Sequence, residues 1–355
     1  MKKTLIALSL AALSTAAVAD VTLYGQIRAG VEVSQTKQTG WNDKKKETPV
    51  TTQIQDLGSR IGFKGHENLG NGLNAIWKLE QSTSVAGTDS RWASRLGYIG
   101  LESQAGTIKA GKVGTALDDM GQVDPWIYKN KALGLSKFTR TGEKVVSVRY
   151  DSPVVAGFSG NVQYVPRDNQ ADTGRSEYKP DANDKGDTSA YYAGLNYENA
   201  GFFAKYGFGL KKEGYSYKDA ASKTHTGDAQ VHRVEGGYNA NNIAATVGYQ
   251  FAKGWGDARK VHEVAVTGAY SFGNVTPKVS YAHGFKAKDI ATGKKQNDSE
   301  YEQVVVGVDY DFSKRTTAFA QAGWLKENGV DTSLNSTGEG KTKTTAGLVG
   351  LVHKF

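Results

Sequence analysis

The chain has no cysteine, six prolines and two methionines in 355 residues, and past its first nineteen residues no apolar run nears the length a membrane-spanning helix needs, about eighteen residues. The first absence means that no disulfide can staple the fold, so stability must come from hydrogen-bonded backbone. The last excludes helical insertion into a bilayer. Charge of one sign is also scarce: 44 basic residues face 36 acidic ones, and the net +8 is too small and too dispersed for nucleic-acid binding. Six scattered histidines without cysteine form no metal-ligand spacing, and His66-Glu67 and His262-Glu263 lack the second histidine of a zinc helix. Gly157-Phe158-Ser159-Gly160-Asn161 lacks a glycine of the nucleophile elbow, and Gly293-Lys294-Lys295 lacks the upstream glycine and the following Ser/Thr of a phosphate loop. Enzymatic, metal and cofactor chemistry are therefore not expected.

Forty-three glycines, 18 tyrosines and 12 phenylalanines favour strands joined by turns. The opening Met1-Lys2-Lys3, the small-and-apolar stretch from Leu5 to Val18 and the ending Ala17-Val18-Ala19 have the order of a secretory signal. Residues 1–19 are thus expected to be a cleaved leader and 20–355 a single exported domain. In Val21 to Val33 one parity reads Val, Leu, Gly, Ile, Ala, Val, Val and the other carries Arg28 and Glu32. Side chains alternate faces along a strand, so such a segment suits lipid on one side and water on the other. The same alternation recurs over 243–251 and 304–310, broken by Val305, whereas over 316–325 the lipid-facing parity is not legible. A mean hydropathy of −0.50 agrees with a wet-lumen barrel, half of whose strand residues are polar.

Turn signals alternate short with long. Short ones fall at 67–72, 102–106, 152–157, 198–201, 239–242, 273–274 and 311–315; long ones at 34–55, 82–91, 112–143, 166–188, 211–229, 252–261, 286–300 and 326–343. Fifteen connections separate sixteen strands, at roughly 21 residues per strand and connection, as transmembrane strands require. Tyr150, Phe158, Tyr197, Phe202, Tyr238, Tyr270, Phe272, Tyr310 and Phe312 flank the short turns and predict an aromatic girdle at that end. A soluble β-sandwich would alternate too, but rarely spends so long a connection as 112–143.

Parity sets Arg28, Arg60, Lys64, Lys78, Arg95, Lys109 and Arg149 opposite Ile27, Ile61, Phe63, Trp77, Leu96, Ile108 and Val148, hence inside, on one arc formed by the first six strands. The connection 112–143 offers Asp118, Asp119 and Asp124, with Glu143, against Lys112, Lys129, Lys131, Lys137, Arg140 and Lys144. Carboxylates facing a cationic arc would set a field across a water-filled channel. Lys44-Lys45-Lys46 reads as a solvated loop face.

The segments ADVTLYG (19–25), GSRIGFKG (58–65), VRYDSP (148–153), FGNVTP (272–277), YAHGF (281–285), VDYDFSKRT (308–316) and the terminal HKF (353–355) together resemble neisserial-type general porins. The resemblance spans residues 19–355 in family order. It implies a sixteen-stranded antiparallel β-barrel in the bacterial outer membrane, with short periplasmic turns and long extracellular loops. It further implies a homotrimer in which each subunit holds its own pore for ions and small hydrophilic solutes, without a cofactor. Region 112–143 would fold into the lumen as a constriction loop; Arg60 in SRIGFKG and Arg95 in SRLGYIGL match arginines near such constrictions. Phe355 would be the terminal aromatic read by the barrel-assembly machinery. A weak anion preference is expected of the basic arc. The competing reading is a barrel that acts mainly as a surface adhesin or structural protein through its loops.

Overall fold

The computed structural model describes residues 20–40, 45–86, 95–128, 132–167, 188–297, 299–329 and 340–355; the leader 1–19 and Lys44, Lys129 and Lys131 lie outside them. Strand β1 is Asp20–Thr39, and β2 runs in three pieces, Lys45–Glu47, Thr51–Asp56 and Arg60–Gly70, all paired with β1. Then follow β3 (Leu73–Ser82), β4 (Leu96–Ser103), β5 (Gly106–Gly114), β6 (Lys144–Asp151), β7 (Phe158–Val165) and β8 (Ala190–Asn199). The wall continues with β9 (Phe202–Lys218), β10 (Thr224–Ala240), β11 (Ile243–Lys253), β12 (Arg259–Tyr270) and β13 (Val275–Gly284). It ends with β14 (Tyr301–Asp311), β15 (Thr316–Asn328) and β16 (Lys341–Lys354). Each strand pairs antiparallel with its sequence neighbour, and β16 returns to β1 from Gln26↔Lys354 to Thr39↔Lys341, so the sixteen strands close into a barrel. Lys288–Asp289 is a short rung on β12 from the connection between β13 and β14.

The wall has a dry outer face. Val21, Leu23, Ile27, Val31 and Val33 of β1, Val247 and Tyr249 of β11, and Val304, Val306, Val308 and Tyr310 of β14 all point outward and are exposed. At the short-turn end, Phe158 meets Tyr197 at 4.5 Å, Phe202 meets Tyr238 at 4.9 Å and Tyr310 meets Phe312 at 5.0 Å between ring centres. These rings form the girdle expected from the sequence.

Two connections are much shorter than their polarity suggested. Regions 34–55 and 211–229 are polar on both parities, yet the ladder runs on through β1 to Thr39, resumes at Lys45, and extends β9 to Lys218 and β10 from Thr224. Above the bilayer both faces of a strand meet water, so alternation ends while backbone pairing continues.

Inside, the wall is half wet and half dry. Val305, which breaks the alternation of β14, points inward and is fully buried with Phe319, Leu325, Ala346 and Leu348 under loop residues Val123, Trp126, Leu133, Leu135 and Phe138. The same cover resolves β15: Phe319, Gln321 and Leu325 are buried inward, while Ala322 faces out. Gly323 belongs there because the Ala132 carbonyl oxygen lies 1.9 Å from where a Cβ would stand.

The seam between β1 and β16 ends in a reciprocal pair, Gly25 N to Phe355 O at 2.9 Å and Phe355 N to Gly25 O at 3.1 Å. The terminal ring lies over Gly25, where a Cβ would meet it at 2.5 Å and the Arg60 carbonyl at 2.7 Å. Gly25→Ala should therefore cost about 1–3 kcal/mol, whereas Gly268→Ala, with open space at its Cβ position, should be near neutral. Urea titration of the refolded barrels checks this; equal midpoints would contradict the seating of the ring. Val247→Arg should likewise abolish most heat-resistant folding, since a charge at mid-bilayer costs about 2–4 kcal/mol, while Thr107→Arg, opposite Asp151 inside the barrel, should fold.

Candidate pore constriction

The connection between β5 and β6 turns into the barrel and is fastened at both ends of its path. At its base Thr115 N donates to Glu143 O at 2.9 Å, and the Thr115 hydroxyl accepts from Asp118 N, capping the short helix α1 (Ala116–Asp119). Leu117 and Met120 then pack against Tyr192, Val231 and Ala252 of the wall. A second helix, α2 (Ser136–Thr139), brings Phe138 into the larger apolar cluster.

Polar ties accompany these contacts because the loop's backbone groups leave water. Glu235 accepts from Gly121 N at 3.1 Å and Val123 N at 3.3 Å; Trp126 donates its indole N–H to Ser280 at 3.0 Å; Gln303 and Gln321 donate to the carbonyls of Gly134 and Tyr128. The fully buried Arg233 donates to Phe138 O at 2.9 Å, Thr141 Oγ1 at 2.7 Å and Gln250 Oε1 at 2.8 Å. Gln250 donates to Glu263 at 2.7 Å, and Glu263 also accepts from Arg140 at 2.6 Å and from the Tyr301 hydroxyl at 2.9 Å. The loop thus covers the wall of β8 to β16. The strand alternation that turns Arg28 inward also turns Arg233, Glu235, Gln250 and Glu263 inward; sequence reasoning centred on the basic arc passed over them.

The uncovered wall is β1 to β6, and most of the predicted cations stand there. Arg60 and Arg95 converge on the buried Glu80, with Nε at 3.6 and 2.8 Å from its oxygens; Lys78 lies at 4.0 Å and Tyr24 donates its hydroxyl at 3.0 Å. Lys64 stands exposed directly across the ladder from Lys78. Like charges so placed repel, and open water beside them screens that repulsion. Arg95 arrives by an unexpected route. Alternation in β4 turns Ile99 and Leu101 outward and would carry residue 95 with them, but Arg95 precedes the strand and its guanidinium swings in to Glu80.

Lys109 pairs with Asp151 at 2.8 Å. Arg149 is nearly enclosed, bonded to Asp151 at 2.6 Å, Asp119 at 2.5 Å and Gly114 O at 2.7 Å. Arg28 reaches across to the loop and donates to Ile127 O at 3.0 Å. The loop carboxylates are spent locally: Asp118 pairs with Lys144 at 2.8 Å and Asp119 with Arg149. Asp119 is half open to the lumen, yet crowding by wall and loop atoms raises its pKa above the ordinary carboxylate value, with Arg149 opposing. Asp124 is a correction to its expected place on the lumen. It is 3% exposed, and its carboxylate accepts from Leu135 N at 3.0 Å and Thr139 Oγ1 at 3.3 Å, which holds α2 in the loop. The acid that faces Arg60 and Arg95 is therefore Glu80, from their own wall.

Residues 19–355 match the family described as Gram-negative porin. The chain is 51% identical to the major outer membrane protein P.IB of Neisseria sicca, over the whole of both chains. Among solved structures it superposes on an anion-selective porin from Comamonas acidovorans with a TM-score of 0.69 at 17% identity, covering 95% of this chain and 100% of the other. It also superposes on OmpT of Vibrio cholerae in its trimer form, with a TM-score of 0.62 at 18% identity, covering 95% and 99%.

Arg233→Leu would leave the Phe138 carbonyl and the Gln250 side chain without their donor at the dry wall, a loss of about 3–5 kcal/mol for a broken buried network. The loop should loosen. Single-channel records should change from steady to fluctuating conductance, and unaltered traces would show that the loop does not depend on this tie.

Proposed function

As a member of the Gram-negative porin family, the chain is an outer-membrane general diffusion porin, and we propose that its channel is narrowed between the loop 115–143 and the basic arc and passes anions in modest preference. It is a channel protein rather than an enzyme; passive transport needs a width limit and a field, and no reaction. The width limit is the gap left between the docked loop and β1 to β6. The observation that carries the preference is the cluster of Arg60, Arg95 and Lys78 around the single carboxylate of Glu80, since positive groups in excess along a narrow water-filled channel with low-dielectric walls favour counter-ions of opposite sign. Asp118 and Asp119 do not reverse it, being paired with Lys144 and Arg149.

Three further parts belong to this reading. Residues 1–19 direct export and are removed. Phe355 serves as the signal for the barrel-assembly machinery, its backbone closing the seam on Gly25. The barrels associate as homotrimers, which the apolar outer groove between Val31, Val33, Val306, Val308, Ala320 and Val349 supports. In each subunit the solutes are ions and small hydrophilic molecules.

Changing Arg60 and Arg95 together to Glu should move the zero-current potential in a salt gradient toward cations. A wild type that already prefers cations, or a double variant with the wild-type potential, would overturn the assignment. Deleting Phe355 should leave export intact while sharply lowering the folded protein in the outer membrane; normal folded amounts would argue against its role.

A further inference from the structure

Between α1 and α2 the loop carries Trp126, whose side chain is buried in a socket on β13 and β14. Lys278, Ser280 and Gly307 face inward there, since Val279, Val306 and Val308 beside them face out and are exposed. The indole N–H donates to Ser280 Oγ at 3.0 Å. Gly307, directly opposite Lys278 in the ladder, makes the floor: a Cβ in its place would stand 2.8 Å from the six-membered ring of the indole. Lys278 closes the socket, its ammonium 5.0 Å from the ring centre. That ammonium is itself fixed, donating to Asp309 at 2.7 Å and to the Pro125 carbonyl at 3.3 Å. Shape, a hydrogen bond and a cation on the ring face thus hold the indole together.

The residue after Trp126 reaches the basic arc. Ile127 offers its carbonyl to Arg28 Nη1 at 3.0 Å. Arg28 has one further acceptor, Gln26 Oε1 at 2.8 Å from Nη2, and its enclosed Nε has no partner among the described residues. The guanidinium therefore points to wherever the loop places the Ile127 carbonyl. On the far side of Ile127, the Tyr128 carbonyl takes one bond from Gln321 at 2.9 Å. A single neutral hydrogen bond holds less firmly than a buried indole with its own bond and a cation on its face. The Trp126 side consequently fixes the carbonyl.

We propose that Trp126 is a positioning residue for the cationic edge of the channel: seated between Lys278, Ser280 and Gly307, it holds the Ile127 carbonyl against Arg28 and so decides how much of that guanidinium's charge passing ions meet. The proposal rests on the reading of the loop as the channel's constriction. A carbonyl oxygen bonded to a guanidinium partly offsets its charge. Drawn away, it leaves Arg28 to water and to anions in transit.

The test uses the full-length folded barrel in planar bilayers, with the zero-current potential in a potassium chloride gradient as the readout. Trp126→Ala should raise the anion-to-cation permeability ratio by about 1.5-fold or more. In an Arg28→Gln background the same substitution should change the ratio by less than about 1.1-fold, because the group it positions is gone. Trp126→Phe, which keeps a ring in the socket, should lie closer to the wild type than to Trp126→Ala. Equal shifts in both backgrounds would make Trp126 merely structural and overturn the proposal, as would a conducting Trp126→Ala barrel with the wild-type potential. If Trp126→Ala gives no folded barrel, Lys278→Met with Asp309→Asn opens the socket without a change of net charge; measured in the two Arg28 backgrounds, it decides in the same way. The absolute preference of the wild type tests the channel reading, whereas the difference between backgrounds tests the socket, so the two fail separately.

Discussion

Every backbone N–H and C=O that enters hydrocarbon must find a partner within the protein, and the rest of this structure depends on that requirement. A sheet meets it only by closing, so β16 has to return to β1 along its whole length. The ladder then fixes which side chains share a face, and the bilayer fixes which of those faces is apolar. No cysteine staples the wall; cooperative backbone pairing holds it instead. The close seat of Phe355 over Gly25 shows how little slack the seam retains.

The loop between β5 and β6 meets the same requirement in a smaller space. Once folded into the barrel it cannot leave its own backbone groups unpaired, and the wall answers with side chains rather than strands: Glu235 for two amides, and Gln303, Gln321 and Arg233 for carbonyls. Apolar residues close the remaining gaps. The barrel consequently has two interiors, a dry one beneath the loop and a wet one along β1 to β6.

This division explains what the sequence disclosed and what it withheld. Where a strand has lipid outside and polar side chains inside, whether they meet water as in β1 or the loop as in β11, alternation reports its facing directly, and Arg28, Arg60, Lys64, Lys78, Lys109 and Arg149 are placed inside on that ground alone. Where the loop covers inward side chains that are themselves apolar, such as Val305, Phe319 and Leu325, both faces are apolar and the signal cancels, which is why 316–325 was illegible and Val305 looked anomalous. Above the bilayer both faces are wet, and β1 and β9 continue unseen through 34–39 and 211–218. The fate of the loop carboxylates was hidden for another reason. Composition shows that Asp118, Asp119 and Asp124 are available, but only folding shows that Lys144, Arg149 and the Leu135 amide reach them first.

The docked loop also divides the barrel's freedom to change. A substitution at an open lumen position of β1 to β6 such as Lys64 meets mostly solvent, so charge there can be altered with small consequences for the rest of the chain, the enclosed Glu80 and Arg149 excepted. On the covered side, Arg233, Gln250, Glu263 and Arg140 hold one another and the loop in a single network, and no member can be exchanged alone. Selection for a new solute diet would therefore rewrite one half of the lumen repeatedly while the other half stays nearly unchanged, and sequence drift around the circumference should be lopsided.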